Sequence, residues 1–154
     1  CGEFFVYIAS PMTTVAEVQL NKVMGYTVAG YGIVFAYQDS DNYYKLLTTV
    51  EGRYMVYKVE GGTSSPILDW DDATHLETGW DKLNTIKIQH DSGTPARTFE
   101  IYFNGVLEED FTVDPYFSDG SIGYYVSVAG ASQEYFPYYP VDVRFKLLQP
   151  TTAT

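Results

Sequence analysis

From Phe99 to Phe103 large apolar residues alternate with polar ones, so Phe99, Ile101 and Phe103 share one face of a strand and Glu100 and Tyr102 the other. Asn104-Gly105 follows directly. A two-residue type I′ turn needs positive φ at both central positions, and Asn-Gly meets that need at least steric cost. The pattern predicts a β-hairpin that returns through Val106 to Val113. On the return strand Glu108 and Asp110 fall with Val106 and Thr112 on a solvated face, while Glu109 falls with the apolar Leu107, Phe111 and Val113. A β-bulge just after the turn would relieve that conflict.

The same period of two recurs along the chain. It predicts strands over Glu3 to Ile8, Thr14 to Val23, Tyr31 to Gln38, Tyr43 to Val50, Arg53 to Glu60, a short one over Ile67 to Trp70, Leu83 to His90, Ile122 to Val128, and Val141 to Leu147. Turn formers separate them at Asp39-Ser40-Asp41-Asn42, Glu51-Gly52 and Ser118-Asp119-Gly120. Gly61-Gly62-Thr63-Ser64-Ser65-Pro66 reads as a loop, and so does Asp71 to Gly79. Gly25, Gly30 and Gly32 suit a connection into a strand that lies close against its neighbour. About ten half-apolar strands with no sustained helical period call for an all-β fold, two antiparallel sheets packed face to face as a β-sandwich. One domain over residues 1–154 accounts for the whole length, with the Pro/Thr tail at 150–154 expected to fray.

Composition sharpens this picture. Aromatic residues make up 17% of the chain, 15 of them Tyr, and they favour pleated, half-buried surfaces. Twenty acidic residues against 9 basic ones give a formal charge of −11, which opposes phosphate backbones and anionic membranes, so nucleic acid is not an expected partner. No apolar run reaches membrane-spanning length. The single cysteine, Cys1, allows no internal disulfide and no cysteine-based metal site. A first-position Cys is also what lipid modification of a bacterial lipoprotein leaves, so a lipid anchor there is one expectation and a plain processing boundary the other.

The order of several short motifs resembles the concanavalin A-like, laminin-G-like jelly-roll superfamily, in particular its bacterial glycan-associated domains. The pieces are Tyr31-Gly32-Ile33-Val34-Phe35, Asp39-Ser40-Asp41-Asn42-Tyr43-Tyr44, Gly79-Trp80-Asp81-Lys82-Leu83-Asn84, Ile101-Tyr102-Phe103-Asn104-Gly105, Ser118-Asp119-Gly120-Ser121-Ile122-Gly123-Tyr124 and Val143-Arg144-Phe145. The resemblance implies the jelly-roll sandwich. It is compatible with lectins, glycan-binding modules, glycosidases and adhesive domains alike. The Glu-x-Asp-x-x-Glu strand of the superfamily's glucanases is absent, and the nearest pair is Glu108 and Asp110, so no catalytic residue is assigned.

Three groups of residues carry candidate chemistry. Asp39, Asp41 and Asn42 offer alternating oxygen donors that could hold Ca²⁺, against the plainer reading that they shape a turn. The run Asp69-Trp70-Asp71-Asp72, with Trp80, combines aromatic faces with carboxylates, the mixture that recognises sugar rings, and Asp69, Asp71 and Asp72 are a second acidic cluster with oxygen donors for Ca²⁺; Trp80 also fits the role of a core anchor ahead of Leu83. Gln133 to Pro140 packs four aromatics and two prolines into eight residues and offers Gln133, Tyr135, Tyr138 and Tyr139 as contacts, either to a ligand or to the sandwich itself. The leading expectation is a non-catalytic, secreted or cell-surface domain that binds glycan. The second is a structural or adhesive domain that binds a surface protein or itself, and a glycosidase or lyase is the weakest.

Overall fold

The computed structural model describes residues 4–11, 15–24, 29–91, 98–113, 120–127 and 142–148. They form eleven strands: β1 (Phe4–Pro11), β2 (Val15–Met24), β3 (Tyr31–Asp39), β4 (Asn42–Thr48), β5 (Arg53–Glu60), β6 (Thr63–Asp72), β7 (Asn84–Asp91), β8 (Thr98–Phe103), β9 (Val106–Thr112), β10 (Ser121–Ser127) and β11 (Asp142–Leu148). Among the described residues there is no helix. A six-stranded sheet runs β1-β10-β3-β4-β5-β6 and a five-stranded sheet runs β11-β2-β7-β8-β9. Every pairing is antiparallel.

The two sheets bury their facing sides against each other, as the alternation requires. Along β2 intermediate and buried positions alternate, with Ala16, Val18, Leu20 and Lys22 inward. Phe35 of β3 stands near the middle of this core, with ring centroids 5.6 Å from Tyr44, 5.4 Å from Phe99 and 6.0 Å from Phe111. Strands β3 and β4 pass so close that a Cβ on Gly32 would run into the Leu46 carbonyl oxygen, which explains the glycine there.

The hairpin between β8 and β9 turns at Asn104 (φ 52°) and Gly105 (φ 85°), as its dipeptide predicts. Its register then slips: Ile101 pairs with Glu109 but Tyr102 with Leu107, so Glu108 is an extra residue and the expected bulge is present. The bulge moves Leu107 out to solvent but leaves Glu109 on the inward face with Phe111, so it does not relieve the conflict; instead the Glu109 carboxylate accepts a hydrogen bond from the Tyr54 hydroxyl.

The largest departure from expectation is β6. It runs ten residues from Thr63, not four from Ile67, because Gly61-Gly62 makes a tight turn with Gly62 N donating to the Asp41 carbonyl at 3.0 Å. Pro66 lies inside this strand opposite Tyr57. A proline is tolerated there because β6 is an edge strand whose missing N–H would face away from the sheet.

Between β6 and β7 the chain crosses from one sheet to the other and closes one end of the sandwich. Ala73 N donates to Gly52 O at 2.7 Å, Gly79 N to Val50 O at 2.7 Å and Asp81 N to Lys22 O at 2.8 Å. Buried Asn84 holds the middle: its Oδ1 accepts from Glu77 N at 2.9 Å and its Nδ2 donates to Glu77 O at 3.1 Å. Cys1, Gln133 to Pro140 and the 150–154 tail lie outside the described residues.

Candidate functional site

Strands β3, β4 and β5 are apolar on both sides. Their inward residues join the core, and their outward ones form a second buried cluster of Val34, Tyr43, Leu47, Met55 and Val59, joined by Tyr125 of β10. A sheet whose outer face is this greasy is not a simple solvated surface. Around the cluster stand partly exposed side chains, among them Tyr37, Tyr57 and Trp70.

The geometry of β6 determines what this rim presents. Tyr54 pairs with Asp71 and Val56 with Leu68, so Asp69 and Trp70 together oppose the single residue Met55. Two residues against one is a bulge, and it re-aims side chains that strict alternation would send to opposite faces. Trp70 packs on the outer cluster, with the six-membered part of its ring 3.5 Å from where a Cβ on Gly30 would stand. Asp69 Oδ1 accepts from the Tyr57 hydroxyl at 3.3 Å and from Trp70 N at 2.9 Å. Arg53 braces the same place, its Nη2 donating to the Trp70 carbonyl at 3.2 Å and its Nε lying 3.8 Å from Asp72. Beside the indole is a hollow of 120 Å³ lined by Thr49, Glu51, Arg53 and Trp70.

Lys45 lies on the outer side of β4, in register with Val34 on one side and Tyr57 on the other. Its Nζ is 5.0 Å from the Tyr125 ring centroid and 5.8 Å from that of Tyr57. Burial pulls its pKa below the usual lysine value. Burial likewise raises the Tyr57 hydroxyl, with Asp69 adding to the shift. The site therefore offers two partly open aromatic faces, a carboxylate, a guanidinium and an ammonium within one curved strip of β4, β5 and β6. Such a strip can stack on the apolar face of a sugar ring and hydrogen-bond its substituents.

The sequence singled out Trp70 and the acidic run around it, Asp69 included, but not Lys45 or Tyr57. Asp71 is turned the other way, where its charge helps to raise the pKa of Tyr54, behind burial and the two glutamates of β9. Trp80 is 42% exposed in the end-closing segment, so it does not anchor the core. Asp39 Oδ1 accepts from Asp41 N at 2.8 Å and from Asn42 Nδ2 at 3.0 Å, and Asn42 Oδ1 accepts from Gly61 N at 3.1 Å. The side-chain oxygens of Asp39 and Asn42 are thus engaged in holding two neighbouring turns. Among the described residues no group of three or more His, Cys, Asp or Glu side chains converges as a metal site.

The carboxylates of the hairpin do not form the solvated pair that alternation suggests. The Glu108 side chain is only 8% exposed, because the bulge turns it against the crossing segment. Its Oε1 accepts from Thr74 N at 3.1 Å and its Oε2 from Thr74 Oγ1 at 2.7 Å, with His75 Nδ1 3.2 Å from Oε1. Asp110 remains exposed. Glu108 thus holds the segment that closes the sandwich.

No protein-family model matches the chain, and no curated protein is significantly similar to it. Solved structures are similar in shape. The carbohydrate-binding module CBM66 from Bacillus subtilis matches with a TM-score of 0.68 at 17% identity, covering 95% of this chain and 80% of that one. A tetrameric galectin from the ball sponge Cinachyrella matches at 0.58 and 10% identity, covering 94% of this chain and 98% of that one. A β-glucanase from Bacillus licheniformis also matches at 0.58 and 10% identity, covering 94% and 68%. Identities this low establish architecture and leave activity open. The architecture they share with this chain is the concanavalin A-like jelly-roll sandwich.

Proposed function

We propose that this chain is a non-catalytic glycan-binding domain, secreted or displayed at a cell surface, and that sugar lies on the outer face of the six-stranded sheet along Trp70, Tyr57 and Lys45. The observation that carries the reading is the β6 bulge, which turns Asp69 and Trp70 toward the same partly open face as Tyr57. Aromatic faces supply the stacking platform and Asp69 a hydrogen-bond acceptor for hydroxyls. Support comes from the neighbours in structure, which include a carbohydrate-binding module and several galectins. Titration calorimetry against a panel of polysaccharides tests it. Trp70→Ala and Tyr57→Ala should each weaken binding by about tenfold or more, since stacked aromatics are the usual centres of binding energy, with titrations run well below each variant's thermal midpoint because both side chains also pack on the outer cluster. Tyr138→Ala in the same titration tells whether the segment outside the described residues adds to the site. Failure to bind any polysaccharide would end the reading.

One observation favours a second reading, an adhesive or self-associating domain. Edge strand β1 carries no charged residue, and its Tyr7 is 68% exposed beside an open trough of 510 Å³ lined with Val6, Tyr124, Val126 and Phe145. Uncharged edges invite pairing with another strand. Under this reading size-exclusion chromatography shows a dimer that Tyr7→Asp converts to monomer; a monomeric wild type removes self-association.

A further inference from the structure

The sugar-site reading does not by itself account for Lys45. A neutral hydroxyl needs no charged donor, whereas Lys45 brings a full positive charge against an outer cluster of aromatic and aliphatic side chains. Three other basic groups have carboxylate partners, Lys58 with Glu60 at 3.2 Å, Arg144 with Asp142 at 3.1 Å and Arg53 with Asp72 at 3.8 Å, and buried Lys22 has the Ala29 carbonyl at 2.9 Å. With 20 acidic residues available, a counter-ion for Lys45 would have been easy to supply. Among the described residues none pairs with it, and its contacts are the two ring faces of Tyr57 and Tyr125. Those faces stabilise a cation electrostatically but take up none of the three N–H donors of an ammonium.

We propose that the ligand of this face is an anionic glycan, and that Lys45 pairs with its carboxylate or sulfate group while Tyr57 and Trp70 stack on the sugar rings. The proposal rests on the glycan-binding reading and narrows it to a substrate class. An oxyanion placed over Nζ regains the solvation that burial removed and adds charge-assisted hydrogen bonds, which are shorter and stronger than those a neutral hydroxyl makes. The overall charge of −11 repels polyanions in general, so an acidic glycan that binds must do so through local contacts of this kind. Asp69 lies at the hydroxyl end of the Tyr57 ring, where it can accept from a sugar hydroxyl.

The test is calorimetry on the full chain with paired probes that differ at the charged group. Oligogalacturonate is compared with its methyl ester, oligomannuronate with its carboxyl-reduced form, and carrageenan oligosaccharides with their desulfated form. The expected result is at least tenfold tighter binding of one charged member than of its neutralised twin. That gap should disappear in Lys45→Gln and be largely kept in Lys45→Arg, both with unchanged thermal midpoints. The first two pairs and the third distinguish carboxylate from sulfate as the recognised group. If a neutral glycan binds as well as its charged twin, with dependence on Trp70 and none on Lys45, the anionic assignment is wrong and the glycan-binding reading stands. Binding of a charged glycan that Lys45→Gln leaves intact overturns the role of Lys45. Should none of the probes, charged or neutral, bind, both readings fall together.

Discussion

Two lysines, one facing inward between the sheets and one on the outer face, both lie beside tyrosine rings and have different fates. Lys22 ends the inward row of β2, is 1% exposed, and donates from Nζ to the Ala29 carbonyl at 2.9 Å with the Tyr31 ring 5.7 Å away. Lys45 stands on the outer face between Tyr57 and Tyr125 and remains partly open. Burial lowers the pKa of both, that of Lys22 to about 8. The difference is the acceptor. A buried ammonium that is enclosed and hydrogen-bonded belongs to the packing, while one that is desolvated, open on one side and without an acceptor among the described residues is stabilised further by anything that brings one.

The first way to break this comparison is to damage the closed side. Phe35 is fully buried between the sheets and touches rings from both. Phe35→Ala should cost about 3–5 kcal/mol in urea unfolding, the transfer term plus the cavity left behind. A loss below about 1 kcal/mol would mean that the facing sides of the sheets are not where the stability lies, and that the outer cluster holds the fold instead.

A smaller effect separates Lys22 from its surroundings by pH. Its folded pKa of about 8 lies below the ordinary lysine value of 10.5. Below pH 8 both folded and unfolded states carry the proton, so the penalty for burying the charge is fully present. Between the two values the unfolded chain binds more protons, and stability therefore rises with pH, at up to about 1.4 kcal/mol per unit. Wild-type urea midpoints should climb from pH 8 to pH 10, and Lys22→Met should climb less. Above about pH 10 the buried tyrosines Tyr31, Tyr54 and Tyr125, whose pKa values burial raises, act in the opposite sense. Parallel profiles for wild type and variant would show that Lys22 is not titrating in this window.

Much of the fold is legible locally. The Asn104-Gly105 turn follows from its dipeptide, and a bulge after it is present as expected, although it turns out Leu107 and leaves Glu109 on the apolar face, where Tyr54 satisfies it. The N-terminal half of β6 is not, because Gly61, Gly62 and Pro66 read as breakers unless the strand is known to lie at an edge. The candidate site is less legible still. Trp70 stands out by residue type, but its shared face with Asp69 depends on a bulge opposite Met55, a relation between strands. Lys45 is one polar residue in an apolar strand, and its meaning comes from Tyr57 and Tyr125, twelve and eighty residues further on. One signal was present: β3 to β5 are apolar on both faces, which marks an outer surface that does more than meet water. Trp80 misleads in the other direction, since an indole ahead of a strand suggests a core position and the end-closing segment leaves it exposed.

The smallest expected effect on stability is the sharpest test of the comparison. Lys45→Met keeps the length of the side chain between the two rings and replaces the ammonium with a thioether, which also packs well against aromatic faces. It forfeits cation–π attraction of about 0.5–1 kcal/mol but removes the cost of holding a charge out of water, so the two changes nearly cancel. Unfolding at pH 7 should shift by no more than about 0.5 kcal/mol, in contrast to a lysine whose hydrogen bond is part of the packing. A loss of about 2 kcal/mol or more would place Lys45 in the same structural class as Lys22, with its ammonium serving the sheet. A near-zero change would instead leave ligand binding as the property that the charge serves, because a desolvated cation that adds nothing to folding has no other evident role on this face.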